Sequence, residues 1–198
     1  MSVLFPATEI HPAKVDDLRR FVLRQLSDLC RQASGSADVI ARSLRAGDVE
    51  GSVETAVGLR EVARLRNPVA LVADTWARDV YPGVEVPKNA AWGVFGVALV
   101  SERPALDCIS LGVGGVPVAE LSTTVLCAFP REDEDVPVDT PPRWRLGYVA
   151  QPVLVGPGEH LSIGLLAHRP VVVGGEDIVL IGYVVEPVGR HVMRRYRW

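Results

Sequence analysis

From residue 68 onward the chain runs as short apolar stretches, each cut off by glycine, proline or a cluster of acids. That rhythm leaves few folds open. Apolar runs of this length between turn signals read as strands. They fall near 69–73, 92–100, 106–112, 122–129, 144–155, 160–168, 178–186 and 191–196. The breaks between them include Tyr81-Pro82-Gly83, the acidic Arg131–Asp135 segment, Pro141-Pro142, Gly156-Pro157-Gly158 and Gly174-Gly175. Roughly eight such strands suit two packed antiparallel sheets. No β-α-β alternation follows residue 68, which excludes a Rossmann or TIM-barrel arrangement. The 92–100 run, Trp92-Gly-Val-Phe-Gly-Val-Ala-Leu-Val100, carries two glycines, a sign of close backbone approach or a bulge.

Before Asn67-Pro68 the apolar spacing is helical. Residues 1–11 form an arm with Phe5, Pro6 and Ile10 as its apolar contacts. Pro12 suits a first helical position, and Asp16 and Asp17 suit a first turn facing the helix dipole. Val15, Leu18, Val22, Leu26 and Leu29 then recur every three or four residues, with Phe21 beside them. This is one apolar stripe on a helix that Gly35 closes. Ser36 can cap a second, short helix with Val39, Ile40 and Leu44 inward, ended by Gly47. Ser52 can cap a third, with Val53, Val57, Leu59, Val62 and Leu65. The expectation is a mainly β chain with N-terminal α structure: an arm and helical segment over 1–66, then an antiparallel β-sandwich over 67–198 with a basic C-terminal tail.

Net charge is −3, which argues against a dedicated nucleic-acid binder. Only Lys14 and Lys88 among the 21 cations are lysines. Arginine favours planar, multi-point contacts, although a GC-rich genome would enrich it too. Cys30, Cys108 and Cys127 lack CxxC spacing and suit packing better than a disulfide framework or a zinc ribbon. The N-terminus lacks the basic and apolar regions of a signal peptide, and no run reaches the ~18 apolar residues of a membrane span. A chain made and used in a reducing cytoplasm, without a membrane partner, is expected.

Tests for chemistry fail on spacing. Gly112-Val-Gly-Gly115 lacks the Lys-Ser/Thr of a phosphate loop, and Pro117 denies the helix that a dinucleotide fingerprint needs, so a turn or bulge is expected. Of His11, His160, His168 and His191, no two form the HxH pair of a cupin metal site. His160 and His168 stand more than ~25 Å apart along an extended strand. No G-x-S-x-G elbow exists, and Glu132–Asp135 sit in a proline-flanked loop instead of on two rigid elements. The reading is a protein without catalytic, cofactor or metal residues, and not an enzyme.

Two features invite interaction. Arg194, Arg195, Tyr196, Arg197 and Trp198 interleave arginine with aromatic rings at the C-terminus. They suit a weak contact with a nucleic-acid backbone, docking on an acidic loop such as Glu132, Asp133, Glu134 and Asp135 of a neighbouring subunit, or a plain solvated edge strand. The second feature is the arm and helix. Phe5, Ile10, Leu18 and Phe21 suit a neighbouring subunit, or the helices pack on their own sandwich and cover one face.

The C-terminal third has a cadence of its own. Gln151-Pro-Val-Leu-Val-Gly-Pro-Gly-Glu-His-Leu-Ser-Ile-Gly-Leu-Leu166 is followed, after Gly174-Gly175, by Glu176-Asp-Ile-Val-Leu-Ile-Gly-Tyr-Val-Val185. A strand ends in a Pro-Gly-Glu turn, and a later strand ends Leu-x-Gly-Tyr-x-Val. Over about residues 90–186 this resembles the jelly-roll virion proteins of tailed phages and related icosahedral viruses: capsid cement or decoration subunits and single-jelly-roll capsid proteins. The resemblance implies a jelly-roll β-sandwich that assembles as a homotrimer on capsid shell subunits and is located in the virion after synthesis in the host cytoplasm. A capsid-building subunit is the neighbouring reading. Two others come from different classes. A carbohydrate- or receptor-binding sandwich would expose Trp76, Trp92 or Trp144, of which the last two suit the core better. A cupin-like enzyme would hold a metal.

Overall fold

The computed structural model describes residues 4–6, 10–44, 63–64, 69–78, 80, 85–99, 105–123, 145–173 and 178–188. The chain is mainly β, with antiparallel sheets and one helix near the N-terminus among these residues.

Helix α1 spans Pro12–Ser34. Pro12 takes the first helical position, as expected. His11 caps it, its Nδ1 accepting the Ala13 N–H at 3.2 Å. Asp16 and Asp17 fall one turn too late to face the dipole, because the helix already starts at Pro12. Gly35, with φ +67°, ends it in the left-handed cap that glycine favours. Val15, Val22, Leu26 and Cys30 form its buried stripe. Leu18 and Leu29 flank that stripe, and Phe21 faces outward.

The second helix anticipated from Ser36 is a strand instead. β2 (Val39–Ser43) pairs with β11 (Ile178–Pro187), from Val39 opposite Pro187 to Ser43 opposite Tyr183. A short isolated helix is costly to nucleate. The ladder satisfies the same backbone groups against a partner already in place, and it suits the β-branched Val39 and Ile40. Leu44 extends it by donating its N–H to the Gly182 carbonyl at 2.9 Å. The third anticipated helix lies outside the described residues except for Ala63–Arg64, which form strand β3 against β11.

Three layers result. Strands β1 (Leu4–Pro6), β8 (Arg145–Val155), β5 (Ala91–Leu99), β11 and β2 lie side by side in that order, with β3 also on β11. Helix α1 packs on one face of this sheet, over Ala91, Phe95, Tyr148 and Val185. The other face meets a second sheet of β7 (Val116–Ser122), β6 (Leu106–Val113) and β9 (Leu161–Ala167). A ribbon of β4 (Val69–Leu71) and β10 (Val171–Val173) completes the described strands. All nine residues of β5 are buried, because the helix covers one face and the second sheet the other. This is why its sequence is nearly continuous in apolar residues instead of alternating.

Both glycines of β5 behave as their sequence suggests. A Cβ on Gly93 would stand 2.9 Å from Val22 Cγ1 of the helix. Gly96 adjoins a bulge at Phe95, which the registers with both β11 and β8 skip. The extra residue turns its ring onto Tyr148 and Tyr183, with centroids 6.3 and 5.2 Å away. Gly182 faces the backbone of Gly93, where a Cβ would overlap the carbonyl oxygen. Its role is thus close strand approach beside the bulge.

The pairings nest. Innermost, β6 and β7 form a hairpin around Gly114-Gly115, whose positive φ values of +61° and +80° suit a tight turn. Outside it, β5 pairs with β8. Outside that, Ala77 and Glu85 meet β9 and its leading residue through the Ala77–Leu165 and Glu85–His160 bridges. Outermost, β2 pairs with β11. The links β5–β11 and β6–β9 then join these pairs into the two sheets.

Of the strand expected at 122–129 only Ser122 and Thr123 are described, and a strand not anticipated from the sequence precedes them. The described strand runs Val116–Ser122, because Gly114-Gly115 turns the chain straight back into a hairpin. Residues 124–129 and the strand expected at 191–196 lie outside the described residues.

Candidate interaction surfaces

The four interface candidates near the N-terminus do not form one surface. Leu4–Pro6 pairs with β8 of its own chain, Phe5 opposite Tyr148, and the Phe5 side chain is exposed. Ile10 and Leu18 are partly buried against the helix–sheet core, and Phe21 is 50% exposed. The helix therefore covers its own sandwich and leaves only Phe5 and Phe21 available to a neighbour. The remaining candidates, Arg194, Arg195, Tyr196, Arg197 and Trp198 with Glu132, Asp133, Glu134 and Asp135, lie outside the described residues.

The structure adds an apolar face that the sequence reading passed over. In the β4–β10 ribbon, Leu71 opposes Val171 and Ala70 opposes Val172. By strand parity Ala70, Val72, Pro170 and Val172 share one face, and all four are exposed. Val72 and Val172 are 65% and 63% exposed, while Leu71 and Val173 point the other way into the core. On β7, an edge strand of the second sheet, Val116 and Val118 are exposed as well.

The polar candidates have structural partners. His11 is the helix cap. His168 Nδ1 stands 2.9 Å from the Asp107 carboxylate. His160 sits beyond the opposite end of β9 from His168, with the whole strand between them. Among the described residues, no group of three or more His, Cys, Asp or Glu side chains could hold a metal ion. Cys30 is buried and its thiol donates to the Asn89 carbonyl at 3.3 Å. Burial pushes its pKa up. Burial also raises that of Cys108, with the Asp107 and Glu120 charges adding to it.

A second feature lies on the outer face of β6 and β9. Each strand carries a Ser-x-Gly unit, Ser110-Leu-Gly112 and Ser162-Ile-Gly164. The antiparallel register sets Ser110 opposite Gly164 and Gly112 opposite Ser162. The result is a checkerboard of hydroxyls and missing side chains, of which Ser110, Ser162 and Gly164 line a shallow cleft of about 80 Å³. Glu120 of β7 lies beside Ser110 in the same row. One residue past the Ala77–Leu165 bridge, Arg78 comes level with Gly164 on the other bank. The Trp76 ring leans over the floor, its Cε3 atom 3.5 Å from where a Gly164 Cβ would stand. Ser110 and Ser162 are each only 9% exposed, and neither hydroxyl has a hydrogen-bond partner among the described residues. The repeated Ser-x-Gly was the available sequence signal. Its meaning depends on the register that brings the two copies together. Of the other tryptophans, Trp92 is buried in the core, and Trp144 lies outside the described residues.

No protein-family model, no curated protein and no solved structure matches this chain.

Proposed function

We propose that the chain is a jelly-roll structural subunit of a virus particle, one that cements or decorates a phage capsid as a homotrimer. The observation that carries this reading is the nested strand pairing. A jelly roll is a long antiparallel hairpin wound into two sheets, so its first strand lies on the eighth, the second on the seventh, the third on the sixth and the fourth on the fifth. Here β2 lies on β11, Ala77, Val80 and Glu85 meet Leu165, Ile163 and His160 in and beside β9, β5 lies on β8 and β6 on β7. The same architecture serves viral capsid domains. Helix α1 adds to it on the face away from the second sheet, and strand β1 extends the edge of the larger sheet beside β8.

Such a subunit works through buried area, about 1,000 Å² or more for a stable contact. The ribbon face of Ala70, Val72, Pro170 and Val172 offers apolar surface for it, and Phe5 and Phe21 offer two further anchors. The Arg194–Trp198 tail would dock on the acidic loop 132–135 of a neighbouring subunit, with nucleic acid as a weaker contact.

Light scattering across a concentration series tests the proposal, together with co-sedimentation with phage heads. A trimer that binds heads is the expected result. Val72→Asp with Val172→Asp should give a folded monomer. A wild-type chain that stays monomeric at every concentration and never sediments with heads would overturn the reading.

A further inference from the structure

We infer that the Ser-x-Gly checkerboard on the outer face of β6 and β9 is a binding site for one ring of a neutral saccharide. The inference goes beyond the assembly role and does not rest on it.

The floor supplies the first argument. Ser110 and Ser162 are buried to more than nine-tenths and line the cleft, with no hydrogen-bond partner among the described residues. Buried hydroxyls are nearly always partnered in folded proteins. Two that are not, side by side in one cleft, point to a ligand that completes them. Each hydroxyl donates one hydrogen bond and accepts others, which matches the hydroxyls of a sugar.

The banks supply the second. From Glu120 across Ser110 and Gly164 to Arg78 is three inter-strand steps, about 14 Å at ~4.8 Å each. An anionic ligand would gain from Arg78 and lose to Glu120, and a cationic one would meet the reverse. A neutral polyhydroxyl loses to neither. It accepts from the guanidinium, which only donates, and donates to the carboxylate, which only accepts. The Trp76 ring beside Gly164 supplies an apolar surface for the C–H face of a sugar ring. Gly164 matters because a Cβ there would press on Ser110 and on the Trp76 ring, 3.3 and 3.5 Å away, and shift two side chains of the cleft.

The test is NMR titration of the ¹⁵N-labelled full chain with glucose, galactose, mannose and N-acetylglucosamine, reading the Trp76 indole N–H and the amides of Ser110 and Ser162. At least one sugar should shift these signals saturably. Glu120→Gln should weaken that sugar about tenfold, the equivalent of one hydrogen bond to a charged group. Gly164→Ala should abolish binding and keep the fold, because its Cβ would stand 3.3 Å from Ser110 Cβ and 3.5 Å from Trp76. Val116→Ala, outside the cleft, should bind as wild type does. The inference is overturned if none of the four sugars moves these signals. It is equally overturned if Glu120→Gln and Gly164→Ala both bind like wild type, or if only charged sugars bind. Light scattering on the same samples keeps this result separate from the assembly proposal.

Discussion

Gly112 and Ser162 face each other across the β6–β9 ladder so closely that a Cβ on Gly112 would lie 2.5 Å from the Ser162 hydroxyl oxygen. The Val116 carbonyl oxygen would stand 2.7 Å from the same Cβ. Gly112→Ala should therefore destabilise the fold by roughly 1–3 kcal/mol, as overpacking does in a closed site. Adding Ser162→Ala should recover only part of that loss, since the backbone carbonyl stays in place. Denaturant unfolding of the single and double variants checks both.

Helix α1 seats on the sheet through Gly93. Its missing Cβ leaves room for Val22 Cγ1 and Leu26 Cδ1, 2.9 and 3.1 Å from where a Cβ would stand. Gly93→Ala should cost about 1–3 kcal/mol. Leu26→Ala should cost about 2–5 kcal/mol, because it opens a cavity under the helix. The pair Gly93→Ala and Val22→Ala should cost less than the sum of its parts, since each change makes room for the other. Thermal unfolding of the four variants reads the coupling.

At the edge of the large sheet, Arg42 Nε lies 3.1 Å from Glu186 Oε1, and both side chains are more than four-fifths buried. This pair helps hold β2 on β11. Arg42→Met should destabilise the chain by about 1–3 kcal/mol, because it removes a charged partner from a largely buried carboxylate. The loss should show first as faster amide exchange along Val39–Ser43, with little change along β5.

Cys30 gives a pH dependence with a definite sign. Burial raises its pKa above the ordinary value of 9.0. The folded state therefore keeps the proton longer than the unfolded chain does. Its contribution is fully present below about pH 9 and lost as pH rises through the folded value. Wild-type stability should fall more steeply in alkali than that of Cys30→Ala, measured by denaturant midpoints across that range. Alkylation of Cys30 in the folded chain should also be slower than in the unfolded chain at the same pH.

The helix over Pro12–Ser34 was legible because its stripe repeats at the helical period and its ends carry Pro12 and Gly35. Strands β5, β6, β8, β9 and β11 were legible because a covered strand must be apolar along its length, and turn residues bound each run. Val39–Ser43 was not. Its composition suits a short helix or a strand, and the choice falls to residues 183–187, 140 or more positions away. β1, of three residues, and β10, equally short, carry too few residues to show a period. The cleft stayed hidden for a related reason. Ser110 and Ser162 look like unremarkable strand serines until the register sets each beside the other's glycine.

Local chemistry was thus enough to place the turns and the covered strands. Glycine at 35, 114, 115 and 158 takes backbone angles that other residues resist, and apolar runs must leave water wherever they end up. Which strand lies against which, and so what the outer face of β6 and β9 presents, is a matter of pairing between distant segments. That pairing follows from the simultaneous burial of the helix stripe on one side of β5 and the second sheet on the other, a condition no local stretch of residues contains.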